Sequence, residues 1–273
     1  MSTTETTTKP KPLRLGGMAL RNGLLVHGPT HWAAAVRTKQ GDIAVASGRK
    51  PKAPSGLDGI PGARGVARLS EAMLVIPLVK RRLPQAQLPY QDLKTFGAMA
   101  ATVAGGALLR RRVRGAAGEA ALAGLALAPS LIALRSGELA QYHGAEHKVI
   151  GAYETPGAAA RDATKEHDRC GSHLMAPLLA ANTAGTVLLK QVVAKPTPMH
   201  GAAVQLAAVG VAVEVFAWSE RHAGSTLSRA LHRPGDALQR VIGTREPTDA
   251  QLDVGGAALA EILRVEGAAQ TLK

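Results

Sequence analysis

Aromatic side chains are scarce: two Phe, three Tyr and two Trp stand among 273 residues. So few rings exclude an extended stacking platform for single-stranded nucleic acid, and no nucleic-acid recognition module marks the chain. A single cysteine, Cys170, excludes an intrachain disulfide and with it any argument for an oxidising compartment. The opening stretch, Met1 to Pro12, has no apolar run. It reads as a disordered Ser/Thr/Lys/Pro-rich tail rather than a secretory leader.

What is abundant is small apolar mass. The chain is 46% hydrophobic but only 3% aromatic, so Ala, Val and Leu supply most of it. An Ala-rich core buries little area per residue, whereas closely packed helices with small interfacial residues tolerate that composition. This favours a mainly α fold, a helical bundle in lipid. A net charge of +13 suits anionic lipid heads as well as phosphate backbones. With nucleic-acid features missing, the expected partners are membrane lipids, anionic ones included, and no nucleic acid.

Four regions follow from the patterning. After the tail, residues 13–66 are short-period and glycine-punctuated at 16, 17, 23 and 28, with a hairpin predicted from Trp32–Arg37, a turn at 39–42 and Ile43–Ser47. This predicts a small β-rich N-terminal cap. Residues 67–218 form the helical membrane domain. Its first helix, Ala67 to Val79, ends on Lys80-Arg81-Arg82 and is short enough to be interfacial or re-entrant. Apolar stretches at Leu93–Leu109, Glu119–Leu134, Leu174–Val193 and Gly201–Trp218 each approach the roughly 20 residues of a bilayer crossing, giving about four spans.

With four spans, the cap, the loop 136–173 and the C-terminal region 219–273 share one face, and the Lys and Arg content assigns that face to the cytoplasm of a multi-pass cell-membrane protein. The cluster Arg110, Arg111, Arg112 and Arg114 then falls on the opposite side, against that rule. In the last region, Thr248 to Gln251 predicts a capping box opening a C-terminal amphipathic helix with Leu252, Leu259, Ile262 and Leu263 as its apolar stripe.

Chemistry concentrates in one place. The segment 141–148 contains H-x-x-E-H, with His143, Glu146 and His147. Residues four apart on a helix lie about 40° apart around the axis and about 6 Å along it, so both imidazoles can face one ion with the carboxylate beside them. That is an inverted zinc-peptidase spacing, in which two His hold a divalent metal and Glu146 acts as general base. A third ligand is needed, and His167, Cys170 and Glu214 are the candidates. Glu154 lies about 10 Å along the axis from His147 and belongs outside the ligand set. Two functions stay open: a zinc-type hydrolase, and a non-enzymatic scaffold or lipid-interacting protein with a structural metal or hydrogen-bonded cluster.

On these residues the chain resembles the YqhQ-like family, domain of unknown function 1385, through Gly16-Gly17, Gly23, Gly28-Pro29, Arg64-Gly65, the 142–148 segment YHGAEHK, Tyr153-Glu154, His167 with Arg169-Cys170-Gly171, Pro234-Gly235 and Thr244-Arg245-Glu246-Pro247. The resemblance spans roughly residues 14 to 262. It implies a multispanning bacterial membrane protein of a group described as metal-dependent enzymes, and supplies no activity. Met18 and Asn22 stand where the family usually carries Gln and Glu, and Ser172-His173 replaces a Thr-Ser pair. These departures put a function that depends on the N-terminal carboxylate in doubt.

Overall fold

A computed structural model describes residues 12–57, 59–91, 93–110, 112, 115–135 and 137–271. The expected tail, apart from Pro12, and Arg111 and Arg114 of the arginine cluster lie outside the described residues. The protein is mainly helical, with one small sheet near its N-terminus. Strands β1 (Gly16–Leu20), β2 (Gly23–His27), β3 (His31–Arg37) and β4 (Ile43–Arg49) pair in chain order, each antiparallel to the last. The predicted hairpin is the β3–β4 pair, and Gly41 at φ 97° supplies the left-handed backbone its turn requires.

Strands β2 and β3 are buried nearly end to end, which means that helices cover both faces of the sheet. Alternate residues go each way. Leu24, Val26, Ala33 and Ala35 face α5 (Glu138–Glu154) and α9 (Asp249–Thr271), where Val254, Ala258 and Ile262 are fully buried at helical spacing. Leu20, Leu25, Trp32, Ala34 and Val36 face α1 (Ala63–Arg82), packing on Val75, Val79 and Leu83. Each fully buried aliphatic side chain contributes about 1.5–3 kcal/mol, so these seams fix the layer order.

The predicted small β-rich N-terminal region is this sheet, and it shares its core with helices from the middle and the end of the chain. The predicted capping box is present: the Gln251 N–H donates to Thr248 Oγ1 at 3.3 Å, and the Thr248 N–H donates to Gln251 Oε1 at 2.9 Å. The helix it opens packs its predicted apolar stripe, Leu252, Leu259, Ile262 and Leu263, on the sheet. Glu266, fully buried, accepts from the Thr30 N–H, Thr30 Oγ1 and the His31 N–H, each at 2.8 Å, and so ties the far end of α9 to the β2–β3 turn.

Beside this layered unit stand the apolar helices α2 (Leu93–Leu109), α3 (Gly115–Leu125), α4 (Ala128–Leu134), α6 (Met175–Val192) and α7 (Pro198–Arg221). Pro129 falls in the first turn of α4, where its missing N–H costs nothing, and marks the break after α3. Among the described residues, two segments are long and apolar enough to cross a membrane: Gly115–Leu134, taken across that break, and Pro198–Arg221. The stretch Leu93–Leu109 is apolar but shorter. Large apolar side chains such as Phe96, Val103, Leu188, Val192, Met199 and Leu206 are exposed on these helices.

α1 reaches from the sheet to this helical layer. A Cβ on Gly65 would strike Val213, and one on Gly210 would lie 3.1 Å from the Gly62 Cα, so small residues let α1 and α7 meet backbone to backbone. Helix α8 (Thr226–Leu238) and a π-helical turn, Gln239–Gly243, then lead back to α9.

Candidate metal centre

The centre is assembled on α5, ten of whose residues are buried. Its position is set by two glycine contacts. A Cβ on Gly144 would overlap the Arg245 carbonyl, so only glycine lets the segment after the π turn lie on the helix, where the Arg245 N–H donates to the Ala140 carbonyl at 2.9 Å. A Cβ on Gly17 of β1 would strike the Glu146 carboxyl group, so the glycine there makes the space this side chain occupies. Lys148, also buried, reaches out to pair with Glu246 and donates to the Arg161 carbonyl at 2.9 Å, pinning the loop that follows the helix.

His143 and His147 stack obliquely, with ring centroids 4.4 Å apart. Each has its Nδ1 committed to a backbone carbonyl at 2.7 Å: His143 to Gly243 and His147 to Lys165. A carbonyl accepts only, so both Nδ1 atoms carry a proton, and a neutral ring so held presents its lone pair at Nε2. The π turn matters here, since such a turn displaces the backbone of an otherwise regular helix and this one ends on the carbonyl that fixes the His143 tautomer.

Cys170 completes the set. Its Sγ lies 3.5 Å from His143 Nε2 and accepts from the Ser172 N–H at the start of the 3-10 turn Gly171–Leu174 that leads into α6. One ligand atom from each of His143, His147 and Cys170 lies within 4.8 Å of the others. An ion with metal–N near 2 Å and metal–S near 2.3 Å needs ligands about 3.4–3.8 Å apart, so the widest pair closes by about 1 Å. His147 Nε2 is buried with no hydrogen-bond partner. A buried imidazole acceptor left without a donor costs about 1–3 kcal/mol, and a cation is one group that would satisfy it.

The electrostatics fit that arrangement. Burial first, and the neighbouring His143 second, push His147 down to about 2, so it is neutral. Burial pushes the Cys170 thiol up. Burial also raises Glu146 to about 7, with His143 opposing and Cys170 adding to the rise. A carboxyl group poised near neutrality can take or give a proton at working pH.

The remaining sequence candidates lie elsewhere. His167 is 5.6 Å from His147 between ring centroids, but its Nε2 sits 3.2 Å from Glu154, which also pairs with Arg169. Glu214 lies on α7, where it accepts from Arg64 Nε at 2.8 Å and from the Gly62 N–H at 3.0 Å. The candidates that the structure brings together are thus His143, His147 and Cys170, with Glu146 beside them, His167 adjoining them and Glu214 apart from them.

Other contributors carry no sequence signal. Gln239, fully buried, accepts from the His167 N–H at 2.8 Å and donates to Ser172 Oγ at 2.9 Å, with His173 Nε2 at 3.1 Å. His173 in turn stacks on His232, centroids 4.3 Å apart. A lone glutamine and two backbone carbonyls cannot be picked out of a sequence. Next to the centre is a cavity of about 740 Å³, lined in part by Glu154, His167, Arg169 and His232.

Residues 137–265 match DUF1385, a family described as a protein of unknown function. The match runs from the start of α5 into α9 and bears out the sequence resemblance over those residues; the N-terminal segments of the resemblance lie outside it. No curated protein and no solved structure matches the chain.

Proposed function

We propose, taking the DUF1385 match as premise, that this protein is a membrane-embedded, zinc-dependent hydrolase centred on His143, His147 and Cys170. The observation that carries the reading is the pair of imidazoles whose Nδ1 atoms are held by carbonyls, with His143 Nε2 3.5 Å from the Cys170 thiol and His147 Nε2 buried without a hydrogen-bond partner among the described residues. Carbonyl-anchored His ligands are the usual outer support of a metal site, and two imidazoles with one thiolate suit zinc. Three protein ligands leave a fourth position for water or substrate.

Zinc there would supply Lewis-acid activation of water and polarisation of the scissile group. The chain's own part is Glu146, buried beside the ligands, which takes the proton from the attacking water and returns it to the leaving group. The Gly17 contact fixes where that carboxyl group sits. Helices α2, α3–α4, α6 and α7 serve as about four spans, their exposed apolar side chains facing acyl chains, with the centre on the cytoplasmic face near anionic lipid heads.

Elemental analysis of detergent-purified protein tests the reading. We expect close to one zinc per chain, and its loss in His143→Ala. Glu146→Gln is expected to keep the metal and the fold while abolishing turnover. A native protein without stoichiometric metal would end the proposal. One observation favours a second reading, a structural metal in a scaffold: His147 and Cys170 tie down the 155–170 loop at Lys165 and at the entry to α6. That reading expects Glu146→Gln to be fully functional.

A further inference from the structure

A second cavity, about 630 Å³, adjoins the first, and Arg169 and Glu220 line both. It lies where α1 meets the last turn of α7. Its walls carry five guanidinium groups against two carboxylates. Three are matched: Arg14 pairs with Glu220, Arg64 with Glu214, and Arg169 with Glu154. Among the described residues, Arg68 and Arg221 form no ion pair. Arg64 and Arg68 are four apart on α1 and share a helix face. The remaining wall is apolar, from Val213, Phe216 and Ala217 of a helix long enough to cross a membrane.

Paired arginines are held in fixed positions by their carboxylates, and the two unpaired ones leave uncompensated positive charge with several N–H donors directed by geometry that matches phosphate oxygens. An apolar wall running into an exposed apolar helix suits an acyl chain.

We infer that this cleft is the headgroup site for a phosphate-bearing amphiphile, the substrate class delivered through the shared Arg169 wall to the zinc centre. The inference deepens the hydrolase reading and rests on it for the word substrate; the binding site itself does not. His167 lines the first cavity with its ring centroid 5.6 Å from that of His147, which brings the wall of that cavity up to the centre.

Calorimetric titration of the full-length, detergent-purified protein with dihexanoylphosphatidic acid, dihexanoylglycerol and inorganic phosphate tests this. The phosphatidic acid is expected to bind at least about tenfold more tightly than either of the others. Arg68→Ala combined with Arg221→Ala should weaken it by about tenfold or more, the value of a charge-assisted hydrogen bond to phosphate, while the double Lys variant retains most of the affinity. Equal affinity for dihexanoylglycerol, equal affinity for inorganic phosphate, or an unchanged double Ala variant each overturns the inference. His143→Ala separates the two readings: it should lose zinc yet bind phosphatidic acid as the native protein does. A native protein lacking zinc but binding the lipid would sink the hydrolase reading alone.

Discussion

Gly144→Ala gives the sharpest test, because two effects of known sign oppose each other. Gly144 lies inside α5, where replacing glycine by alanine ordinarily stabilises a helix by about 1 kcal/mol. Here the added Cβ would overlap the Arg245 carbonyl oxygen and sit 3.2 Å from its carbon and 3.5 Å from Pro247 Cδ. The obstacle is backbone, so relief means opening the contact by about 1 Å, at a cost of about 1–3 kcal/mol. The same shift draws on two hydrogen bonds, Arg245 N–H to Ala140 at 2.9 Å and His143 Nδ1 to Gly243 at 2.7 Å, each worth about 1 kcal/mol. The net expectation is a loss of about 2–4 kcal/mol. Thermal unfolding followed by circular dichroism at one scan rate should show a melting temperature lower by several degrees, and zinc content should fall because His143 loses the carbonyl that orients it. A melting temperature raised by the substitution, with zinc retained, would refute both the packing argument and the role given to the Gly243 carbonyl.

Two further outcomes are expected. Burial first and Lys50 second hold His27 down at about 4, against 6.5 for a free imidazole; the unfolded chain therefore binds the extra proton first, and His27's contribution is intact above pH 6.5 and lost as pH falls toward 4. The effect amounts to at most about 3 kcal/mol, and denaturant titrations across that range should show a shallower pH slope for His27→Gln than for the native protein. Glu266→Ala strips the acceptor from two part-buried backbone N–H groups and a hydroxyl, and should cost about 3 kcal/mol; hydrogen exchange at Thr30 and His31 would locate the loss, and unchanged protection there would contradict it.

The parts of this fold that announce themselves in the sequence are those governed by local chemistry. The β3–β4 hairpin follows from alternation around a glycine turn, the α9 start from Thr248 and Gln251, and the apolar helices from their runs of Ala, Val and Leu. The layer order does not, because residues such as Ala33, Ala34 and Ala35 are equally apolar and face opposite sides of the sheet. Two of the apolar stretches meet the length and composition of a membrane crossing, not four. The apolar stripe of α9 is legible as Leu252, Leu259, Ile262 and Leu263, but composition alone could not say that the sheet is what it packs against.

For the centre, spacing gave the face of α5 and could not give the third ligand, since Cys170, His167 and Glu214 are equivalent as residue types until the chain folds. What distinguishes them is prior engagement. Glu214 has a guanidinium and a backbone N–H as partners, and His167 has a carboxylate that Arg169 also holds, so recruiting either to an ion means breaking charge-assisted bonds. Cys170 has only weak thiol contacts, with the Ser172 N–H and with His143 Nε2, itself a candidate ligand. Burial raises its thiol and holds His147 neutral, so neither of these two groups adds charge to the cluster as folded. Binding zinc would then release the thiol proton, and zinc affinity should rise with pH more steeply in the native protein than in Cys170→Ser. A competition titration against a chelator at several pH values reads that slope, and identical slopes for the two proteins would remove Cys170 from the ligand set.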